Sequence, residues 1–173
     1  MESVLNNDGG AALAVRPAVM NDIPRILQLV DHSRSIMRAN GNFVQWDGYP
    51  GSDLIGSDID RGIGHVVVAD GQAVGYFALL LDPEPTYAYI EDGAWLEDTL
   101  PYYVIHRIAS LPQVHGIFKG IINYTARLTG NIRIDTHKDN RIMQHLLEKH
   151  GFSYCGIIYL ANGDPRLAYQ RLQ

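Results

Sequence analysis

Residues 102–120 carry a strand-forming run into a glycine turn and then a helix. The run reads Tyr-Tyr-Val-Ile-His-Arg-Ile-Ala-Ser-Leu-Pro-Gln-Val-His-Gly-Ile-Phe-Lys-Gly. A helix start presents backbone N–H groups that have no partner inside the helix, and the helix dipole favours negative charge there. Gly116 lets the backbone approach a ligand closely, and Lys119 adds a positive charge beside it. The junction suits a phosphate or pyrophosphate group; a plain turn is the competing reading. It is not a Walker loop, because no Gly-Lys-Ser/Thr run exists, and the third glycine of a dinucleotide fingerprint is missing. Histidine is the side chain that ordinarily changes charge near neutral pH, and His106 stands on this strand.

Other reactive side chains point to less. Asp135, His137, His145 and His150 invite a metal reading. His145 and His150 are five apart on a helix, though, so they do not share a face. No His-Glu-x-x-His occurs, and no metal site is expected. A serine hydrolase lacks its Gly-x-Ser-x-Gly elbow. Cys155 is the single cysteine. It excludes an internal disulfide and a four-cysteine zinc site, and in its apolar strand it reads as a packing residue.

The elements that must position these residues follow from pattern and punctuation. Residues 1–10 read as a disordered leader, and residues 11–173 as a single domain. A strand over 12–18 precedes a helix capped at Asn21 or Asp22, with Pro24 in its first turn and Gly41 past its end. Ile23, Ile26, Leu27, Val30 and Met37 mark its apolar face. An aromatic irregular stretch, 41–51, leads to a short helix over 52–61. Strands over 65–69 and 73–81 flank Asp70–Gly71, a hairpin signal. Residues 82–101 form a loop-rich acidic insertion. A strand over 102–110, a helix from Gly116 to about 128, a strand over 132–136 and a helix over 139–150 follow. Strands over 154–160 and 166–170, joined at Asn162–Gly163, close the chain. This mixture of hairpins and strand–helix–strand crossovers is an α+β or mixed-sheet domain, not a doubly wound one.

Length and composition bound the function. The chain has 173 residues, 46% of them hydrophobic, so a sizeable core is available and a chain disordered throughout is excluded. A net charge of −5 argues against a nucleic-acid partner. No apolar run approaches the roughly 20 residues of a membrane helix, and the start lacks a signal-peptide pattern. The expectation is a cytoplasmic protein with no membrane or nucleic-acid partner.

A second segment, 132–152, gives the first one its context. It reads Ile-Arg-Ile-Asp-Thr-His-Lys-Asp-Asn-Arg-Ile-Met-Gln-His-Leu-Leu-Glu-Lys-His-Gly-Phe, a strand delivering Asn140 to a helix that ends in Gly151–Phe152. With Gln113 and Gly116 in the preceding loop, this resembles the GNAT superfamily of N-acetyltransferases. The element order agrees over residues 12–172, and the motif match lies within 105–152. The resemblance implies a mostly antiparallel mixed sheet of six or seven strands, splayed in the middle and flanked by about four helices. It implies acetyl-CoA or another acyl-CoA as co-substrate and a small-molecule or peptide amine as acceptor. Ile108, Ala109 and Ser110 would hydrogen-bond the pantetheine arm through their backbone. His115, Gly116, Ile117, Phe118, Lys119 and Gly120 would hold the pyrophosphate, and Asn140 and Met143 would border the pantetheine. A homodimer through the edge of the last hairpin is left open.

Two residues depart from the family pattern. Phe118 stands where Gly or Ala is preferred. Leu147 stands where many members carry a tyrosine that protonates the leaving thiolate. A thiol, with a pKa of roughly 8.5, leaves readily without that help, whereas an alkyl amine, with a pKa of roughly 10, must first lose a proton. The larger need is therefore a base. His106 and Glu91 are the candidates, with Tyr103 behind them, and Tyr159 might replace the missing phenol. Trp46, Tyr49 and Trp95 lie in segments that border the acceptor in the resembled fold. Beside Glu91 and Asp92 they would suit a cationic amine, or else they form an aromatic cluster under long loops. A GNAT-like module that binds acyl-CoA without turnover is the alternative function.

Overall fold

The computed structural model describes residues 12–173 and the backbone of Ser3–Leu5. The expected leader otherwise lies outside the described residues. Ser3–Leu5 is β1, paired antiparallel with β2, Leu13–Pro17, with Ser3 opposite Val15. The remaining elements are α1 (Ile23–Ala39), α2 (Ser52–Asp60), β3 (Gly64–Ala69), β4 (Gln72–Leu81), β5 (Tyr103–Ser110), α3 (Ile117–Ala126), β6 (Asn131–Thr136), α4 (Arg141–Lys149), β7 (Ser153–Tyr159) and β8 (Pro165–Leu172). The strand order is β1-β2-β3-β4-β5-β6-β8-β7, eight strands with the three-residue β1 and seven without it. The only parallel pair described is β5 with β6. The mixed, mostly antiparallel sheet with four helices is thus the fold class expected. No helix among the described residues is long and apolar enough to cross a membrane.

Contacts divide the chain into two units, each assembled from two segments: residues 1–79 with 107–124, and residues 80–106 with 125–173. The first unit holds the β1–β4 meander. Asp70 and Gly71 both have positive φ, 50° and 77°, the two-residue turn their sequence signals. Residues 73–79 of β4 are buried without alternation, as in a strand covered on both faces. Gly75 shows how close one cover lies, since a Cβ there would stand 2.8 Å from the Ile117 side chain at the start of α3. Along α1 the buried residues are Ile26, Leu29 and Val30; Leu27 and Met37, expected on that face, are only half-buried.

The second unit orders β6, β8 and β7 antiparallel, with β5 parallel to β6 at Tyr103–Ile132 and Val104–Arg133. The ladder between β5 and β6 covers only those two pairs, although β5 runs on to Ser110. Helix α4 ends as expected: Gly151 takes φ 86°, and the Phe152 N–H donates to the Leu147 carbonyl at 3.0 Å. The last hairpin differs from expectation. Its ladder closes at Tyr159–Pro165, so the turn spans residues 160–164 and only Gly163 has positive φ. The two-residue turn at Asn162–Gly163 gives way because the Gly163 N–H donates to the Leu160 carbonyl.

The insertion, 82–101, is fastened rather than loose. It contains a 3-10 turn at Pro85–Tyr87, and Glu91 exchanges both backbone hydrogen bonds with Ile157, at 2.8 and 2.9 Å. That exchange covers part of the β7 edge. The buried Arg133 guanidinium lies between the Trp95 and Tyr102 rings, 4.1 and 3.9 Å from their centres, and donates to the Glu97 carbonyl. The buried Gln170 side chain accepts the N–H groups of Leu96 and Glu97 at its Oε1. Gly93 lies so close to β7 that a Cβ would fall 1.9 Å from the Cys155 carbonyl oxygen.

Candidate active site

In the second unit, β5 and the 82–101 insertion bring a histidine and two acids together. His106 Nε2 lies 3.1 Å from Glu84 Oε2, and its Nδ1 lies 3.9 Å from Asp135 Oδ2. Parallel register accounts for the second approach: Val104 faces Arg133, so two residues on, His106 comes level with Asp135 on the same face. Glu84 is held by its own turn, since its Oε1 accepts the Thr86 hydroxyl at 2.9 Å and the Thr86 N–H at 3.3 Å. The Glu84 N–H in turn donates to the Tyr102 hydroxyl at 3.0 Å. The His106 imidazole beside it, outweighing burial, lowers the Glu84 carboxyl from 4.5 to about 2. An ionised carboxylate accepts only. His106 Nε2 therefore carries the hydrogen toward Glu84, and Nδ1 faces Asp135. Asp135 Oδ2 also accepts the Tyr87 hydroxyl at 2.7 Å. Burial, and then the Asp135 charge, push that phenol well above its ordinary range.

Glu91 and Tyr159, two separate candidates in the sequence, are partners. The Tyr159 hydroxyl donates to Glu91, and that bond raises the phenol's pKa. The Tyr159 ring stacks on the exposed Tyr89 ring. Tyr103 is half-buried on β5. Leu147 is fully buried, so α4 presents no hydroxyl at that position. Trp95 is a correction. It is only 7% exposed, its Nε1 donates to the Tyr87 carbonyl, and Arg133 covers its ring, so it is a core residue and not a surface for an amine. Cys155 is buried in the same cluster, as expected of a packing residue.

The first unit holds the expected cofactor strand and loop. Gly116 has φ 84°, and α3 begins at Ile117. The Ile117 and Phe118 side chains are buried while Lys119 is exposed, so the benzyl group of Phe118 turns inward and leaves the loop face to the backbone. Gly120 is corrected out of the loop's donors, because its N–H already donates to the Gly116 carbonyl at 2.9 Å inside the helix. Ser110 is corrected as well. Its N–H donates to Ser33 Oγ at 3.1 Å, and its carbonyl accepts the Ser33 hydroxyl at 3.4 Å. Ile108 and Ala109 remain as the strand's candidates. His115 is exposed.

Just before them, Arg107 takes φ 57° inside a strand, a conformation that costs a non-glycine residue about 1–2 kcal/mol. Its Nη1 donates to the Tyr49 hydroxyl at 3.0 Å; Tyr49 is 41% exposed. Trp46 is corrected like Trp95: it is 8% exposed, and its carbonyl accepts Arg34 Nε at 2.9 Å. In the second unit, Asn140 caps α4, its Oδ1 accepting the Met143 N–H at 3.1 Å, and Met143 is half-buried. Among the described residues, no group of three or more His, Cys, Asp or Glu side chains is placed to hold a metal ion.

Sequence reasoning found His106 but not Glu84, which lies 22 residues away in a loop with no periodicity. In the sequence Asp135 reads only as a metal candidate. The parallel crossover from β5 to β6 was the signal that could have paired it with His106.

No protein-family model matches the chain, and no curated protein matches it in sequence. Solved structures do. An acetyltransferase of the GNAT family from Streptococcus agalactiae is 33% identical, with a TM-score of 0.82 over 96% of this chain and 99% of that one. A GNAT-family acetyltransferase from Listeria monocytogenes shares 20% identity, with a TM-score of 0.71 over 99% of this chain and 100% of that one. The aminoglycoside acetyltransferase AAC(6')-Ib, solved with coenzyme A and kanamycin, shares the fold at 17% identity and a TM-score of 0.62, over 93% of this chain and 95% of that one.

Proposed function

Because the chain belongs to the GNAT family of acetyltransferases, we propose that it transfers an acetyl group from acetyl-CoA to the amine of a small molecule. The observation that carries the reading is the Glu84–His106–Asp135 arrangement. It places a histidine side chain between two carboxylates, Glu84 at 3.1 Å and Asp135 at 3.9 Å. A small-molecule acceptor gains support from the aminoglycoside enzyme of the same fold, which was solved with kanamycin.

The first residues to act are those that bind. The start of α3, with Gly116 in the left-handed region and Lys119 exposed beside it, fits the negative charge of a pyrophosphate. Ile108 and Ala109 offer backbone groups to the pantetheine amide and thioester. Bound acyl-CoA supplies an activated thioester. His106 then does the proton work. Glu84 fixes its Nε2–H, which leaves the Nδ1 lone pair to take the proton from an ammonium that would otherwise stay protonated at neutral pH. Asp135 lies beside Nδ1 and stabilises the imidazolium that results. As the amine nitrogen forms its C–N bond, the C–S bond breaks; the nitrogen gives its second proton to solvent and the thiolate takes one up from solvent, so the buried Leu147 is no obstacle.

The second reading is a module that binds acyl-CoA without turnover, and the absence of a hydroxyl at Leu147 favours it. One experiment separates the two. Acetyl-CoA binding is measured by calorimetry, and thiol release is then followed across an amine panel. Release that His106→Ala lowers on the order of 10²-fold supports the transferase. Binding with no release from any amine supports the silent module. No binding at millimolar acetyl-CoA sinks both.

A further inference from the structure

The first unit contains a buried charged network that the proposed chemistry does not use. Asp58, on α2, is fully buried. Its two oxygens take Arg107 as a fork: Oδ2 accepts Nε at 2.9 Å and Oδ1 accepts Nη2 at 2.7 Å. Oδ2 also accepts the Tyr76 hydroxyl from β4 at 2.5 Å. Of the four described non-glycine residues with positive φ, Arg107 alone lies inside a strand.

Burying a charge pair is a poor way to gain stability, because well-packed apolar residues of similar volume do as well or better. What such a pair does is fix a geometry. Two parallel charge-assisted hydrogen bonds define the place and plane of a guanidinium far more tightly than packing does. Here the guanidinium belongs to the one β5 residue whose backbone is strained. The segment beyond it is tied again at Ser110 by Ser33. Ile108 and Ala109 therefore lie between two side-chain anchors.

We infer that Asp58 is a positioning residue: acting through Arg107, it holds the left-handed kink of β5 that aims the Ile108 and Ala109 peptide groups. The inference rests on the reading of that segment as the acyl-CoA strand. The kink's geometry is itself independent of any ligand, so it can be tested without turnover. Asp58→Asn keeps the shape but turns an amide N–H₂ toward a guanidinium that has only donors to offer. The kink then relaxes toward ordinary extended backbone.

The test uses the full chain and has four readings, of which the resonances need no turnover. In ligand-free Asp58→Asn, the backbone amide and Cα resonances of residues 107–109 move, while those of β7 and β8 stay. The kcat falls on the order of 10²-fold, as misplacing a reacting group by an ångström does. The Kd for acetyl-CoA, set largely by the α3 loop, stays within about threefold of the parent. Glycine adopts φ 57° without strain. Asp58→Asn/Arg107→Gly therefore recovers kcat to within about fivefold of the parent, although its melting temperature stays low.

A purely structural pair would give a different pattern, with kcat tracking melting temperature and no recovery in the double variant; that would overturn the inference. So would unmoved resonances at residues 107–109 in Asp58→Asn. If Asp58→Asn does not fold, the double variant decides alone: folded with near-parental kcat supports the inference, folded without activity overturns it. If the parent itself turns over no amine, the proposed function fails, and the resonances of Asp58→Asn still decide the role of Asp58.

Discussion

Replacing Glu84 with glutamine removes the charge that faces His106 Nε2 while keeping the side chain's shape. In the folded protein Glu84 gives up its proton at about 2, against an ordinary 4.5. The unfolded chain therefore holds the proton more tightly than the folded one between those values. It follows that Glu84's contribution to stability is complete above pH 4.5 and is lost as pH falls toward 2. At 1.36 kcal/mol per pH unit, the gap is worth at most ~3.4 kcal/mol. The side chains of Glu84 and His106 are 16% and 23% exposed, so solvent screens the pair and about 1–2 kcal/mol is expected. The assay is urea unfolding in a pH series, followed by the fluorescence of the two tryptophans. The stability difference between the parent and Glu84→Gln should be constant above about pH 5 and should shrink by about 1–2 kcal/mol between pH 4.5 and 2. A difference that stays constant through that window would mean that Glu84 titrates alike folded and unfolded. The orientation argued for His106 would then fall.

Three further outcomes are expected. His106→Gln should lower kcat on the order of 10²–10⁴-fold with melting temperature changed little; stopped assays with acetyl-CoA and an amine, beside a thermal melt, check this. Lys119→Ala should weaken acetyl-CoA binding by about three- to tenfold at low salt and by less at high salt, as calorimetry at two ionic strengths would read. Gly93→Ala should destabilise by more than about 2 kcal/mol, because its Cβ would meet the Cys155 carbonyl oxygen at 1.9 Å, and hydrogen exchange should rise across residues 82–101 before the rest of the second unit.

The parts of the fold written in local chemistry were legible. Asp70–Gly71 and Gly151 announce their own backbone conformations, and the crossover order of strands and helices announced a mixed sheet. What was not legible depends on partners distant in the chain. Trp46 and Trp95 read as aromatics near acids, yet burial, which one sequence does not display, makes both core residues. Ser110 read as a backbone donor, but Ser33, 77 residues away, occupies it. His106 was found by residue type alone. Its orientation needed Glu84 from a loop without periodicity, and its second partner needed the register of a parallel pair. Asp58 carries no signal of its own, since an aspartate in a short helix reads as a solvated one until its exposure is known to be zero.

The two-segment make-up of each unit bears on synthesis. The first unit is interrupted after residue 79 and completed only by residues 107–124. When β4 leaves the ribosome, the helix whose Ile117 lies against Gly75 has not been made. About 45 residues must still be added, which takes about 2–9 s at ordinary elongation rates. For that interval the uninterrupted apolar run of residues 73–79 has no cover on one face. It is the kind of segment that pairs with other nascent chains. Low yield at high expression, relieved by slower translation or by a holding chaperone, would trace to this delay rather than to weakness of the finished protein.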